Sequence, residues 1–277
     1  MADHPSIERI LARAVAQLAS VRGVRAIVLG GSRARGWHRA DSDIDIGLYY
    51  EGPAGLDIAA LNDAATGLDD EHRRSLATAP GGWGAWVDGG AWLTMDGIAV
   101  DLIYRDLSRV DRIVEEVNRG EFQIAYHAGH PHGFVSSAYA GEAAICDPLH
   151  DPDGSIAACK AWLAPYPDAL RREIVRRFLG EAQFSLLLAH KAAKTDDASY
   201  AAGVAFRIVA CLCQGLFALN REWLINEKGA VERADSFAVH PVGFAGRVNA
   251  AFTTPNGPAR AEVLHRLVAE TAALASC

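Results

Sequence analysis

The sequence predicts a chain of two parts, an α/β (α+β) N-terminal domain with a mixed sheet followed by an all-α helical-bundle domain. Short apolar runs rich in β-branched residues, broken by Gly-containing turns, continue to about residue 150 and indicate strands. Beyond that point apolar residues recur at spacings of three and four, the period of bundled helices. The Pro-, Asp- and Gly-rich segment 148–154 separates the two patterns, so we expect domains at residues 1–150 and 151–277.

The predicted elements follow from this periodicity in chain order. The N-terminal part is expected to contain helices at 5–20, 56–68 and 106–119, strands at 24–30, 43–50 and 98–104, and hairpin material at 80–97. The C-terminal part is expected to contain helices at 155–164, 168–194, 199–225, 241–252 and 258–275.

A glycine-serine turn follows the first predicted strand directly, in the segment Gly30-Gly31-Ser32. Glycine lets the backbone approach a ligand closely, and the free amides at a helix N-terminus attract anions. We therefore expect this turn to hold a phosphate group, with the Ser32 hydroxyl as a further donor.

Two aspartates follow in the stretch DSDIDIGLYY, where alternation places Asp43 and Asp45 on one face of a strand and Ile44 and Ile46 on the other. Neighbouring like charges are unfavourable unless a cation lies between them, and Mg²⁺ prefers oxygen ligands of this kind. A third carboxylate, Asp101, stands inside the apolar run IAVDLIY on a later predicted strand. The three acids together predict a divalent-metal site.

These residues resemble the nucleotidyltransferases of the DNA polymerase beta superfamily. The shared pattern is an apolar strand, Gly31-Ser32, about ten intervening residues, Asp43-Ile44-Asp45 and then Asp101 on a neighbouring strand. The resemblance implies that the three aspartates bind Mg²⁺ and are catalytic, while Gly31 and Ser32 bind the nucleotide. It further implies transfer of a nucleoside monophosphate to a hydroxyl group, with release of pyrophosphate.

The order of a catalytic part and a helical part resembles the aminoglycoside and lincosamide antibiotic nucleotidyltransferases. This resemblance implies ATP as the donor, a small acceptor molecule and a role in antibiotic resistance. Arg33 and Lys228 are predicted to contact the nucleotide phosphates, although Lys228 could equally satisfy a helix C-terminus. Glu142 is a candidate for a separate catalytic base, with an exposed helix glutamate as the alternative.

Charge and cysteine content limit the partners. The first 150 residues carry 13 Arg, no Lys and 21 acidic residues, in a chain whose net charge is −7. Such an excess of acidic residues repels polyanions, which disfavours a nucleic-acid acceptor and favours a small cationic one.

Five cysteines without CxxC spacing indicate neither disulfides nor zinc, which fits a reducing cytoplasm. No apolar run is expected to approach the roughly 20 residues that cross a membrane, and the oligomeric state is not readable from one chain.

Two other interpretations remain open. The chain could be an antitoxin-like or regulatory nucleotidyltransferase that adenylylates a protein partner or only binds nucleotide. Helical toxin partners of such proteins carry an Arg and a His a few residues apart, and Arg260 and His265 have that spacing. Separately, His127, His130 and His132 could ligate a metal, although Pro131 interrupts them.

Overall fold

The computed structural model describes residues 7–39, 42–52 and 55–276. Its contacts divide the chain into two compact units. The first contains the described residues up to Glu115 together with Tyr139–Ala164, and the second contains Glu116–Ala138 together with the chain from Pro165 onward. The chain therefore passes from one unit to the other three times. The domain boundary expected at residue 150 stays a prediction.

The strands belong to two sheets. They are β1 (Val24–Leu29), β2 (Ile44–Tyr50), β3 (Gly90–Met95), β4 (Ile98–Asp106), β5 (Ile124–His127), β6 (His130–Val135) and β7 (Asp147–His150). Five of them form a sheet of order β3-β4-β2-β1-β7, in which β2 and β4 are parallel and the other neighbours are antiparallel. This confirms the predicted mixed sheet. Strands β5 and β6 form a separate antiparallel hairpin in the second unit.

Helices make up most of the remaining structure. They are α1 (Ile7–Leu18), α2 (Gly31–Ala34), α3 (Ile58–Leu68), α4 (Leu107–Asn118), α5 (Ser137–Ile145), α6 (Ser155–Leu163), α7 (Asp168–Ala192), α8 (Ala198–Leu219), α9 (Ala230–Asp235), α10 (Phe244–Thr253) and α11 (Pro258–Ala275). The mostly helical character of the chain beyond residue 150 is confirmed.

The apolar face of β2 fixes which way its aspartate points. Ile44, Ile46 and Leu48 are completely buried, in a core to which β1, β4, α1 and α3 also contribute. Successive side chains on a strand point to opposite faces, and a shift of one residue would expose this whole apolar set. Burial of the three apolar residues therefore holds Asp45 on the opposite face of the sheet.

The end of α3 is tied to β3 by Asp69, a carboxylate that is 0% exposed. It accepts hydrogen bonds from the backbone N–H of Thr94 at 2.9 Å and from the Arg73 guanidinium at 2.6 and 3.0 Å. The Arg73 hydrogen bond is the main reason that the pKa of Asp69 lies well below its usual range, and burial opposes it.

Replacement of Asp69 with Ala is expected to lower the free energy of unfolding by about 2–4 kcal/mol at pH 7, because the Thr94 N–H and the Arg73 guanidinium lose a charged acceptor. A depressed pKa in the folded state gives stability that is present above the unfolded-state value, about 4, and that is lost as pH falls toward the folded-state value. Urea unfolding between pH 7 and pH 3 measures both effects. Asp63→Ala, at an exposed position on α3, is the control, and an Asp69→Ala protein with the stability and pH slope of this control would contradict the prediction.

Helix α8 is the central helix of the second unit and ends earlier than the periodicity predicts. It stops at Leu219 and not at residue 225. The side chain of Asn220 donates to the carbonyls of Leu216 and Val239 at 2.7 and 2.8 Å, and Arg221 adopts a left-handed φ of 57°. These are features of a helix C-terminus, since they satisfy terminal carbonyls and turn the chain away.

By length and composition alone, α8 qualifies as a candidate membrane span, with a mean hydropathy of 1.8 in its most apolar window. Of that window, 72% is buried within the protein, as in the core helix of a helical bundle. The sequence expectation overlooked this segment because Arg207 and Gln214 interrupt its apolar residues.

Several elements were not predicted from the sequence. Strand β7, the hairpin of β5 and β6, and the helices α5 and α9 are absent from the expected set. Strand β7 lies at the start of the segment that was expected to separate the two parts, and it pairs with β1 at the edge of the sheet. Pro148 in β7 fits this position, since an edge strand tolerates a residue that lacks a backbone N–H.

Candidate active site

The turn between β1 and α2 lies directly against Asp45. The Gly30 N–H donates to the Asp45 carbonyl at 2.8 Å. Gly31 has a left-handed φ of +60°, and a Cβ atom added to it would lie 1.7 Å from Asp45 Oδ2. A glycine is therefore required at position 31, both for the backbone conformation and for the space that the carboxylate occupies. Ser32 lies next to it in the single turn of α2.

The parallel pairing of β2 with β4 aligns two of the predicted carboxylates. Asp45 and Asp101 are partners in the register, on strands that are neighbours in the sheet. Neighbouring strands are about 4.8 Å apart, so the two residues lie side by side. Asp43 directly precedes β2 and is exposed, whereas Asp45 and Asp101 are partly buried. Asp45 and Asp101 are therefore neighbours on the sheet face opposite to Ile44 and Ile46, although more than 50 positions separate them in the sequence.

The carboxylates influence one another electrostatically. The pKa of Asp45 is raised to about 6, chiefly by burial and also by the charges of Asp43, Asp101 and Glu142, while Arg33 opposes the increase. Burial also raises the pKa of Asp101, and the charge of Asp43 adds to that effect. The site therefore concentrates negative charge where solvent screens it incompletely, which is an environment that favours a bound cation.

Arg33 and Lys228 are the two predicted phosphate contacts. The Arg33 guanidinium donates to the Asp43 carbonyl at 2.9 Å and to the Ser42 carbonyl, so it braces the chain that leads into β2. Lys228 is exposed in the turn before α9 and belongs to the second unit, where its backbone N–H donates to Asn226 Oδ1 at 2.9 Å. Contacts of either side chain with a nucleotide stay predictions.

Glu142 is a partly buried helix residue, and its carboxylate forms an ion pair. Both of its oxygens accept from the Arg105 guanidinium, at 2.6 and 2.9 Å. Arg105 has a side chain that is 6% exposed, donates to the Tyr104 carbonyl at 2.8 Å and lies 4.8 Å from the centre of the Tyr139 ring. Arg105 shares a face of β4 with Asp101, and the charge of Glu142 contributes to the raised pKa of Asp45.

Sequence reasoning missed the role of Arg105. The signal was an arginine inside the apolar run that carries Asp101, four positions further along and therefore on the same face of the strand. A charged residue in such a run requires a buried partner.

Replacement of Glu142 with Gln is expected to lower the free energy of unfolding by about 3 kcal/mol, because Arg105 would remain buried without its counter-charge. The double variant Arg105→Met/Glu142→Leu should recover most of this loss, since it removes both charges together. Urea denaturation of Arg105→Met, Glu142→Leu and the double variant measures the coupling. Additive losses in the double variant would show that the pair does not interact.

The remaining sequence candidates lie in the second unit. Arg260 donates to the Thr254 carbonyl from Nε and Nη2 at 3.1 and 2.7 Å, so its guanidinium stabilises the loop before α11. The His265 ring centre lies 6.0 Å from that of His190. These contacts give Arg260 a structural role within the helical unit.

Divalent-metal binding agrees with the chemistry of the donor set. Asp43, Asp45 and Asp101 offer hard carboxylate oxygens, and the pKa of Asp45 is raised mainly by burial and further by the charges of the other two. Within residues 7–39, 42–52 and 55–276, no group of three or more His, Cys, Asp or Glu side chains is placed so that it could hold a metal ion. The carboxylates fit a metal in type and neighbourhood, and Mg²⁺ binding by them stays a prediction.

Two family models match the chain. Residues 8–116 match the nucleotidyltransferase domain, and residues 142–228 match a domain of unknown function, DUF4037. Residues 8–116 are therefore a nucleotidyltransferase domain, as the resemblance to the DNA polymerase beta superfamily predicted, and the protein is a transferase. Enzymes of this superfamily typically use a divalent metal.

Similar solved structures are distant in sequence. A nucleotidyltransferase-like protein from Exiguobacterium sibiricum is 9% identical, with 98% of this chain and 75% of that chain covered and a TM-score of 0.44. The E. coli MS115-1 CdnC:HORMA-deltaN complex gives 12% identity, 95% and 89% coverage and a TM-score of 0.23. No curated protein matches the chain significantly.

Proposed function

We propose that the protein transfers AMP from ATP to a hydroxyl group of a small cationic acceptor, such as an aminoglycoside-like antibiotic, and releases pyrophosphate. The observation that carries this proposal is the pairing of Asp45 with Asp101 across two parallel strands, against the Gly31 turn. A nucleotidyltransferase domain supplies the general reaction, and the donor and the acceptor are the proposed details.

The carboxylates would hold Mg²⁺ through Asp43, Asp45 and Asp101. When bound, Mg²⁺ supplies positive charge that stabilises the leaving pyrophosphate and favours ionisation of the acceptor hydroxyl. The backbone amides of the Gly31 turn and the Ser32 hydroxyl bind the terminal phosphates. The acceptor oxygen forms a bond to the α-phosphorus, the bond from that phosphorus to pyrophosphate breaks, and Asp101 takes the hydroxyl proton.

The acceptor class is inferred from charge. In the first 150 residues the 21 acidic side chains outnumber the 13 arginines, and lysine is absent. An acidic surface attracts cations and repels polyanions at a distance, so a compound with several amino groups is favoured over a nucleic acid.

Mass spectrometry of reaction products tests the proposal. The protein is incubated with Mg²⁺, each of the four ribonucleoside triphosphates in turn, and a panel of aminoglycosides, lincosamides and uncharged sugars. We expect an acceptor that gains one AMP, with an equal amount of pyrophosphate, and no product from Asp45→Ala. Absence of pyrophosphate with every acceptor would refute the proposal, and AMP attached to a protein tyrosine would favour the regulatory alternative.

A further inference from the structure

A small cavity lies inside the second unit, between β6, α8 and the segment that follows α8. Its volume is about 20 Å³, which is room for one water molecule or one ammonium group. The lining residues relevant to ligand binding are His130, His132, Phe134, Gln214, Leu224 and Glu227. All of these residues belong to the same unit and none to the carboxylate site.

Glu227 presents an unsatisfied oxygen in this cavity wall. Its Oε2 lies 3.1 Å from Nδ1 of His130, which donates in the tautomer that carries a proton there. Its Oε1 is buried and has no hydrogen-bond partner in the part of the chain that the structure describes. A buried carboxylate oxygen without a donor is costly, so a group that supplies an N–H or O–H would stabilise it.

Gln214 is a second polar group in the same wall. It is 8% exposed, in the otherwise largely apolar buried run of α8. Its side-chain amide forms no hydrogen bond with any other residue of the described ranges. Glu227 and Gln214 therefore both present polar groups to this cavity, and of the two only Glu227 has a fully buried atom without a partner.

Among the described residues no arginine or lysine forms an ion pair with Glu227, whose partner is His130. Arg207, the nearby cation, is held by a bidentate pair with Glu181 and donates to the His132 carbonyl at 2.6 Å. Burial and, to a smaller extent, the charge of Arg207 together lower the pKa of His132 to about 4. Burial raises the pKa of Glu227, but its hydrogen bonds with His130 and with its own backbone N–H leave it below the usual value. At neutral pH the cavity is therefore lined by a carboxylate and a neutral His132.

We propose that this cavity binds the primary ammonium group of a small aliphatic amine. An ammonium group carries three donors, no acceptor and one positive charge. It would donate to Glu227 Oε1 and to the Gln214 carbonyl oxygen, and its charge would balance the carboxylate. The cavity volume admits the head group, and the alkyl chain would contact Phe134 and Leu224. The inference goes beyond nucleotide transfer and does not depend on it.

Thermal unfolding of the full chain in matched salts tests this site. The probes are methylammonium, tetramethylammonium and potassium chlorides at 100 mM, without nucleotide. A ligand of two non-hydrogen atoms binds at best with a dissociation constant on the order of 10 mM. We therefore expect methylammonium to raise the Tm by about 3 °C relative to the other two salts.

The other outcomes each overturn the proposal. Equal shifts in all three salts would mean general screening or an unselective cation site. No shift in any salt would mean that a water molecule satisfies Glu227 and Gln214. Tetramethylammonium is the decisive comparison in wild type, because it has the same charge but no N–H donor and a larger head group.

Variants locate the effect. Glu227→Gln removes the charge with little change in shape, and Gln214→Leu removes the amide; each is expected to reduce the methylammonium shift to less than about 1 °C. Retention of the full shift by both variants would refute the assignment. If they fail to fold, NMR titration of the His130 imidazole in wild type replaces them, with resonances that move with methylammonium and not with tetramethylammonium. Asp45→Asn should retain the full shift, so failure of the catalytic proposal leaves this one testable.

Discussion

Asp45→Asn is expected to reduce nucleotide transfer by about 10³-fold or more and, in metal-free buffer, to raise the Tm. The loss of activity follows because Asp45 is the carboxylate that Asp43, Asp101 and the Gly31 turn all approach. The gain in stability follows because the variant removes one of several like charges at a partly buried position. A substitution that stabilises the fold but abolishes activity indicates that the original residue serves function and not stability.

The pH dependence of stability gives the sign of this effect. The pKa of Asp45 is about 6 in the folded protein, against about 4 in the unfolded chain. Because the folded state holds the proton more tightly, stability of wild type in EDTA should rise by about 1 kcal/mol between pH 7 and pH 5 from this group. Asp45→Asn should lack that increase.

Added Mg²⁺ separates the metal from the charge effect. Mg²⁺ is expected to raise the Tm of wild type at pH 7.5 and to have little effect on the Tm of Asp45→Asn, because the variant binds Mg²⁺ more weakly. Asp63→Asn, an exposed substitution on α3, should behave as wild type in every assay. Full activity of Asp45→Asn, or a Tm of wild type that Mg²⁺ does not change, would contradict the assignment of this residue.

Gly31→Ala is the second substitution with a large expected effect. A Cβ atom at this position would lie 1.7 Å from Asp45 Oδ2, so either the turn or the carboxylate must move. The left-handed φ of +60° adds strain of about 1–2 kcal/mol for any residue with a Cβ atom. We expect transfer activity to fall by about 10²-fold or more, since displacement by about 1 Å can cost that much.

Gly36→Ala is a matched control for backbone strain. Gly36 follows α2 by two residues, has a φ of +68°, and a Cβ atom there would meet nothing within 4 Å. The Gly36→Ala protein should therefore lose about as much stability to backbone strain as Gly31→Ala does, and it should keep most of its transfer activity. Steady-state kinetics and urea denaturation of both variants separate strain from displacement of Asp45. Equal activity losses in the two variants would show that strain alone explains the effect.

The side of the sheet on which Asp45 lies was predictable because its signal is local. Alternation along a strand has a period of two, so burial of Ile44 and Ile46 determines the direction of Asp45 from the sequence alone. The turn at Gly31 was predictable for the same reason, since chain reversal after an apolar strand is encoded by adjacent residues. The direct pairing of Asp45 with Asp101 required knowledge of the strand register, which the structure supplied.

The missed features depend on partners that are distant in sequence. Glu142 reads as an ordinary helix residue until Arg105, 37 positions earlier, is known to lie beside it. Strand β7 is four residues long and contains Pro148, so its pairing with β1 cannot be inferred from local propensity. The end of α8 depends on Asn220 and the carbonyl of Val239, a contact that periodicity does not reveal.

The return of the chain to the first unit at Tyr139 has a practical consequence for gene design. A fragment that stops at residue 116, where the nucleotidyltransferase match ends, would lack β7 and the helix that carries Glu142. Strand β1 would then expose its backbone groups along one side, and Arg105 would lose its counterion. Unpaired strand edges promote aggregation, so such a fragment should form inclusion bodies, and expression of the catalytic part requires the polypeptide through at least Ala164.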